Sequence, residues 1–97
     1  MIYTIDEIKI IVSSVACKYK IQSVFLFGSY ARGEATEESD LDFFIIGKPD
    51  FKLSQTLAFA EDLREAFHKD VDVFEIREII PNTEFSRNLM KDRRRVA

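Results

Sequence analysis

One cysteine, one histidine and no apolar run near the ~18 residues of a membrane-spanning helix are what this sequence most plainly lacks. The lone Cys17 closes no internal disulfide and builds no cysteine-based metal site, which points to a reduced, intracellular, cytoplasmic setting. The N-terminal stretch Met1-Ile2-Tyr3-Thr4-Ile5-Asp6-Glu7 has no basic segment and meets carboxylates early, so neither export nor membrane insertion is expected. Only two prolines and three glycines are present, and no linker, repeat or low-complexity segment stands out. At 97 residues the chain suffices for one domain, residues 1–97, and is too short for two. With 46% hydrophobic and 32% charged residues, it lies far from the composition of disordered chains.

Excess positive charge is missing from the body. The net charge is −3, but Lys91, Arg93, Arg94 and Arg95 against Asp92 give the last seven residues +3, so residues 1–90 carry −6. That balance argues against a broad nucleic-acid-binding face and leaves only local contact with a polyanion. The basic tail itself reads as a frayed, solvated end.

Several elements are legible from spacing. Thr4 and Glu7 form a capping box with Tyr3 and Ile8 at hydrophobic-staple positions, and Ile5, Ile8, Ile11, Val12, Val15, Ala16 and Tyr19 share one face of a helix predicted over 4–19. Ile10 and Cys17 fall on its other side. Val24-Phe25-Leu26-Phe27 is apolar on both faces, as in a central strand, and stops at Gly28-Ser29. Tyr30-Ala31-Arg32-Gly33 reads as a short helical turn with a glycine C-cap. A second strand runs from Leu41 to Ile46 and is closed by Gly47-Lys48-Pro49-Asp50. Ser54 is the expected cap of a helix to about His68, with Leu57, Phe59, Ala60, Leu63, Ala66 and Phe67 as its stripe. A third strand covers 71–76, and Thr83 caps a last helix to about Lys91. Strands alternating with helices imply an α/β (α+β) fold with a small mixed sheet flanked by helices.

The chemistry concentrates in few residues. Asp40 and Asp42 are two apart on a strand, so both carboxylates leave the same face, where they repel and raise each other's pKa unless a cation intervenes. An all-oxygen site of that kind suits Mg²⁺ or Mn²⁺. Alone, the pair also reads as a solvated strand entrance. Asp72, flanked by Val71 and Val73, is expected to be a buried third carboxylate, which tips the reading towards a site. Its neighbour Asp70 is the rival for that role and reads better as a surface acid. Gly28-Ser29, between a buried strand and a short helical turn, outlines an anion pocket of backbone N–H groups and a hydroxyl. His68 reads as a helix-end residue, favourable near the C-terminal dipole.

These residues resemble a known family. Phe27-Gly28-Ser29-Tyr30-Ala31-Arg32-Gly33 with Ser39-Asp40-Leu41-Asp42-Phe43 is similar to the signature of the DNA polymerase beta-like nucleotidyltransferase superfamily, in its minimal nucleotidyltransferase (MNT) branch. Val71-Asp72-Val73 matches that family's third-carboxylate strand, and Glu78 to Lys91 is similar to its turn and closing helix. The resemblance implies the nucleotidyltransferase fold and transfer of AMP from ATP. By it, Asp40 and Asp42 bind two Mg²⁺ ions, and Ser29 with the Gly28 to Tyr30 backbone holds the terminal phosphates. Asp72 holds the second metal and helps to activate the acceptor hydroxyl.

Arg32 is read either as a phosphate contact or as an ion pair with the Glu34–Asp40 loop, and Tyr30 either as a surface aromatic or as a flank of the nucleotide. Relatives act as antitoxins beside a HEPN-domain ribonuclease toxin, so the implied acceptor is a tyrosine of such a partner. With no room for a substrate domain, a partner or a second copy is expected to complete the cleft. Two other readings stand beside this one, adenylation of a small-molecule hydroxyl such as an aminoglycoside's, and neutralisation of the partner by binding alone. The sequence departs from the family at Arg95-Val96-Ala97, where relatives continue into a short terminal strand.

Overall fold

The capping box at the first helix forms: the Glu7 N–H donates to Thr4 Oγ1 at 3.1 Å and the Thr4 N–H to Glu7 Oε1 at 2.8 Å. In this computed structural model, which describes residues 1–97, that helix, α1, spans Ile5–Ala16. It stops short of the expected Tyr19 because residues 17–20 turn into the sheet, yet Tyr19 still packs on the core and donates to Asp62 Oδ2 at 2.5 Å. Strand β1 (Ile21–Phe27) follows, then β2 (Leu41–Gly47), helix α2 (Gln55–Phe67) and strand β3 (Val71–Glu75). A 3-10 turn at Ile76–Glu78 leads to helix α3 (Glu84–Asp92) and a two-residue strand β4 (Arg94–Arg95).

The sheet order is β3-β2-β1-β4. Neighbours β1/β2 and β1/β4 are antiparallel, whereas β2 and β3, joined through α2, are parallel. Alternation along the strands sorts side chains to two faces. Val24, Leu26, Leu41, Phe43, Ile45 and Val71 meet α1 and α2, whose Ile8, Val12, Val15, Phe59, Leu63 and Phe67 are all buried. The opposite face carries Phe25, Phe27, Phe44 and Phe74 under α3, where Leu89 is buried. The mixed sheet between helices is the α/β architecture that the periodicity implies.

Three local expectations need correction. Ser54 adopts helical backbone angles and makes no capping hydrogen bond, because the turn at Lys52 and Leu53 already leads into the helix. On α2, Leu57 and Ala66 face solvent while Thr56 joins the buried stripe with Phe59, Ala60, Leu63 and Phe67, a spacing that follows the 3.6-residue period more closely. The tail is not frayed. Arg94 and Arg95 pair with Leu26 and Phe25, the Val96 N–H donates to Val24 O at 2.9 Å, and Val96 is buried. The sheet edge left open by the departure at Arg95-Val96-Ala97 is therefore closed, by β4. No helix is long and apolar enough to cross a membrane.

Candidate active site

The site begins where β1 ends. Gly28 takes a positive φ of 78°, and the chain closes one helical turn in which the Glu34 N–H reaches Ser29 O at 2.9 Å and the Gly33 N–H reaches Tyr30 O at 3.3 Å. This paired pattern, with Gly33 at φ 74°, is a Schellman closure, so the glycine C-cap legible in the sequence is real. The N–H groups of Ser29, Tyr30 and Ala31 find no acceptor in the chain, which leaves an anion cradle at the mouth of the turn. Gly28 is required for a second reason: a Cβ there would lie 2.6 Å from Asp42 Oδ2. The phosphate-type turn and the carboxylate strand touch at this point.

Asp42 stands opposite Phe27 on β1 and beside Asp72 on β3, so one row across the sheet reads Phe27, Asp42, Asp72 on the α3 face. Asp40 lies two residues earlier, just before β2. The half-buried Asp42 carboxyl is pushed up to about 6, by burial first and then by the charges of Asp72 and Asp40, against the opposing pull of Arg32. No Lys or Arg pairs with any of the three acids. Asp72 corrects an expectation: it is exposed, because β3 is an edge strand and α3 does not cover this end of it. Its significance is its place in the row and not the cost of burial. Asp70 is a surface acid whose backbone carbonyl accepts from the Leu41 N–H at 3.1 Å.

The three carboxylates do not converge into a preformed metal cluster. Their chemistry nevertheless fits a hard divalent cation, since all donors are oxygen and ionisation of Asp42 is disfavoured by burial and then by the neighbouring negative charges, which such an ion would offset. Mg²⁺ or Mn²⁺ would be held by Asp40 and Asp42, with Asp72 beside them.

Arg32 and Tyr30 lie on either side of this row. Arg32 donates to Glu34 Oε1 at 2.8 Å and to Asp92 Oδ2 at 2.7 Å, an ion pair that ties the turn to the end of α3. Tyr30 buries its ring in the α1 side of the core, its hydroxyl unpartnered, so only its backbone N–H faces the anion cradle. Two pairings, one beside this row and one at the far end of β3, went unread. Asp92 looked like part of a charged tail and lies sixty residues from Arg32. Glu75 is fully buried, and hydrogen bonds from the Arg77 and Gly47 N–H groups and the Arg77 guanidinium hold its carboxyl below the usual range although burial alone would raise it. Its place at the end of an alternating strand gave no warning of burial.

An anion-holding turn set directly against a row of carboxylates on neighbouring strands defines a protein of the phosphoryl- and nucleotidyl-transfer class. The family profile "Polymerase beta, Nucleotidyltransferase" matches residues 9–97. The chain belongs to that nucleotidyltransferase family, and the resemblance carried by Gly28-Ser29 and Asp40-Leu41-Asp42 is borne out. A Methanocaldococcus jannaschii protein named as a candidate protein adenylyltransferase is 33% identical over 89 residues, covering 92% of this chain and 88% of that one. Other relatives from the same organism match over 46 residues, so the match spans about half their length.

Among solved structures, a chain of a toxin–antitoxin crystal structure with AMP-PNP aligns with a TM-score of 0.77 and 21% identity, covering 92% of this chain and 72% of that one. A chain of the complex of a tri-AMPylated Shewanella oneidensis HEPN toxin with its MNT antitoxin aligns at 0.64 and 19% identity, over 96% and 68%. These likenesses establish the fold.

Proposed function

We propose that this chain transfers AMP from ATP to a hydroxyl of a partner protein, a tyrosine of a HEPN-type toxin, and so acts in the cytoplasm as an antitoxin. The observation that carries the reading is the contact between the Gly28 turn and Asp42, which sets an anion cradle beside a carboxylate row. The names of the adenylyltransferase relative and of the AMPylated toxin complex support the choice of donor and acceptor. When bound, Mg²⁺ supplies charge stabilisation to the oxygens around the α-phosphorus.

The chain's own groups do the rest. The Ser29, Tyr30 and Ala31 N–H groups hold the terminal phosphates, and Asp40 and Asp42 hold the ion. Asp72, open to solvent at the sheet edge, accepts the proton of the incoming hydroxyl as its oxygen bonds to the α-phosphorus. The bond to the β-phosphate breaks and pyrophosphate leaves towards Ser29.

Incubating the protein with its partner and α-labelled ATP in Mg²⁺ is expected to place AMP on a partner hydroxyl, read by intact mass. Asp72→Asn is expected to abolish labelling while weakening ATP binding far less, because it acts on the transition state. If Asp72→Asn still neutralises the partner as well as the wild type does, neutralisation is by binding alone. Label on an aminoglycoside and not on protein would transfer the reading to small-molecule acceptors.

A further inference from the structure

One aromatic row lies beside the row of carboxylates. The register places Phe27, Asp42 and Asp72 in one row across β1, β2 and β3, and Phe25, Phe44 and Phe74 in the next. From the first turn of α3, the Phe85 ring stands edge-on to Phe27 at 5.9 Å and to Phe74 at 5.6 Å. Phe27 belongs to the first row on β1 and Phe74 to the second row on β3, so a ring touching both lies across β2, along the border of the carboxylate row. Phe85 is 48% exposed, the one aromatic among the exposed large apolar side chains. With Tyr30 buried on the other side of the sheet, no other exposed aromatic ring borders the site.

We propose that Phe85 is the surface on which the base of the nucleoside triphosphate stacks, an inference that rests on the nucleotidyl-transfer reading above. Terminal phosphates on the N–H groups beyond β1 and an α-phosphorus at Asp40 and Asp42 on β2 direct the rest of the nucleotide across the sheet, towards β3 and the start of α3. Phe85 stands there. It is braced by Phe27 and Phe74 and so loses little freedom on stacking. A purine presents a flat π-face to such a ring, and contacts of this kind are worth ~1–3 kcal/mol per base, roughly a factor of ten or more in affinity. The nucleotide's affinity then has two separable parts, phosphate contacts at the turn and base contact at α3.

Calorimetric titration of the whole chain with ATP and with inorganic tripolyphosphate, each in Mg²⁺, separates them. Phe85→Ala is expected to weaken ATP about tenfold and leave tripolyphosphate unchanged. Phe85→Trp is expected to keep ATP affinity, and because the chain has no tryptophan of its own, its single indole emission should be quenched by ATP and not by tripolyphosphate. Equal weakening of both ligands by Phe85→Ala, or an indole that ATP leaves unquenched, overturns the inference. So does unchanged ATP affinity with lost transfer, which would assign the ring to the acceptor. A wild-type chain that binds neither ligand overturns the nucleotidyl-transfer reading, and this inference with it.

Discussion

Asp42 couples the stability of this protein to its chemistry. Its carboxyl is pushed up to about 6 from an ordinary 3.8, so between those values the folded chain holds a proton that the unfolded chain has released. The contribution of Asp42 to the stability of the ligand-free protein is therefore expected to be greatest below about pH 4 and to be lost as pH rises through 6, whereas Glu75, held below the usual range, contributes in the opposite sense as pH falls. Asp42→Asn removes this penalty. The side chain is only half-buried, so after discounting for solvent screening the gain is expected to be ~1 kcal/mol at pH 7.5 and none near pH 4, with transfer lost. Urea melts at the two pH values check it, and a destabilised mutant at pH 7.5 would make Asp42 a structural residue. The pairing of Asp40 with Asp42 was legible from a spacing of two. The contact of Asp42 with the Gly28 turn was not, because it joins two strands through a register that no local pattern encodes.

At the scale of elements, the short β4 closes the sheet beside β1. Val96 is buried, and Val24 exchanges backbone hydrogen bonds with Val96 and Ala97. Deleting residues 94–97 would expose Val24 and Leu26 and leave the β1 edge unpaired, at an expected cost of ~2–4 kcal/mol in denaturant unfolding. Unchanged stability would show that the strand contributes nothing to the sheet. The same four residues read as a solvated basic end because arginines dominate them, and charge composition says nothing of the backbone pairing available to an edge. Caps were more legible. Thr4 with Glu7 and Thr83 both cap as their spacing implies, since those bonds span three residues, whereas Ser54 fails because the turn before it decides its backbone angles.

For the whole molecule, Mg²⁺ and ATP are expected to stabilise the fold together by more than the sum of each alone. On the proposed reading, the ion would offset the repulsion among Asp40, Asp42 and Asp72, and the triphosphate would bind beside it at the Ser29 turn. At ~100 times the Kd, bound ligand adds about 2.7 kcal/mol to unfolding. Thermal melts with ATP, Mg²⁺ and both would reveal it, and strictly additive shifts would remove the cooperative site. The binding free energy is expected to draw on both ends of the molecule, since the Arg32–Asp92 ion pair ties the turn after β1 to the last turn of α3.

The sequence by itself determined what acts over a few residues: the helices through their 3.6-residue stripes, the strands through alternation, the Gly33 closure, and the shared face of Asp40 and Asp42. These follow from backbone geometry and short hydrogen bonds, which need no knowledge of neighbours. Only the tertiary structure decided which strand lies beside which. That choice put Asp72 in the open at an edge, turned Tyr30 into the core, left Phe85 exposed against Phe27 and Phe74, and joined Arg32 to Asp92. Each depends on burial and pairing between segments far apart in the chain, where packing of the whole sheet overrides what any single segment prefers.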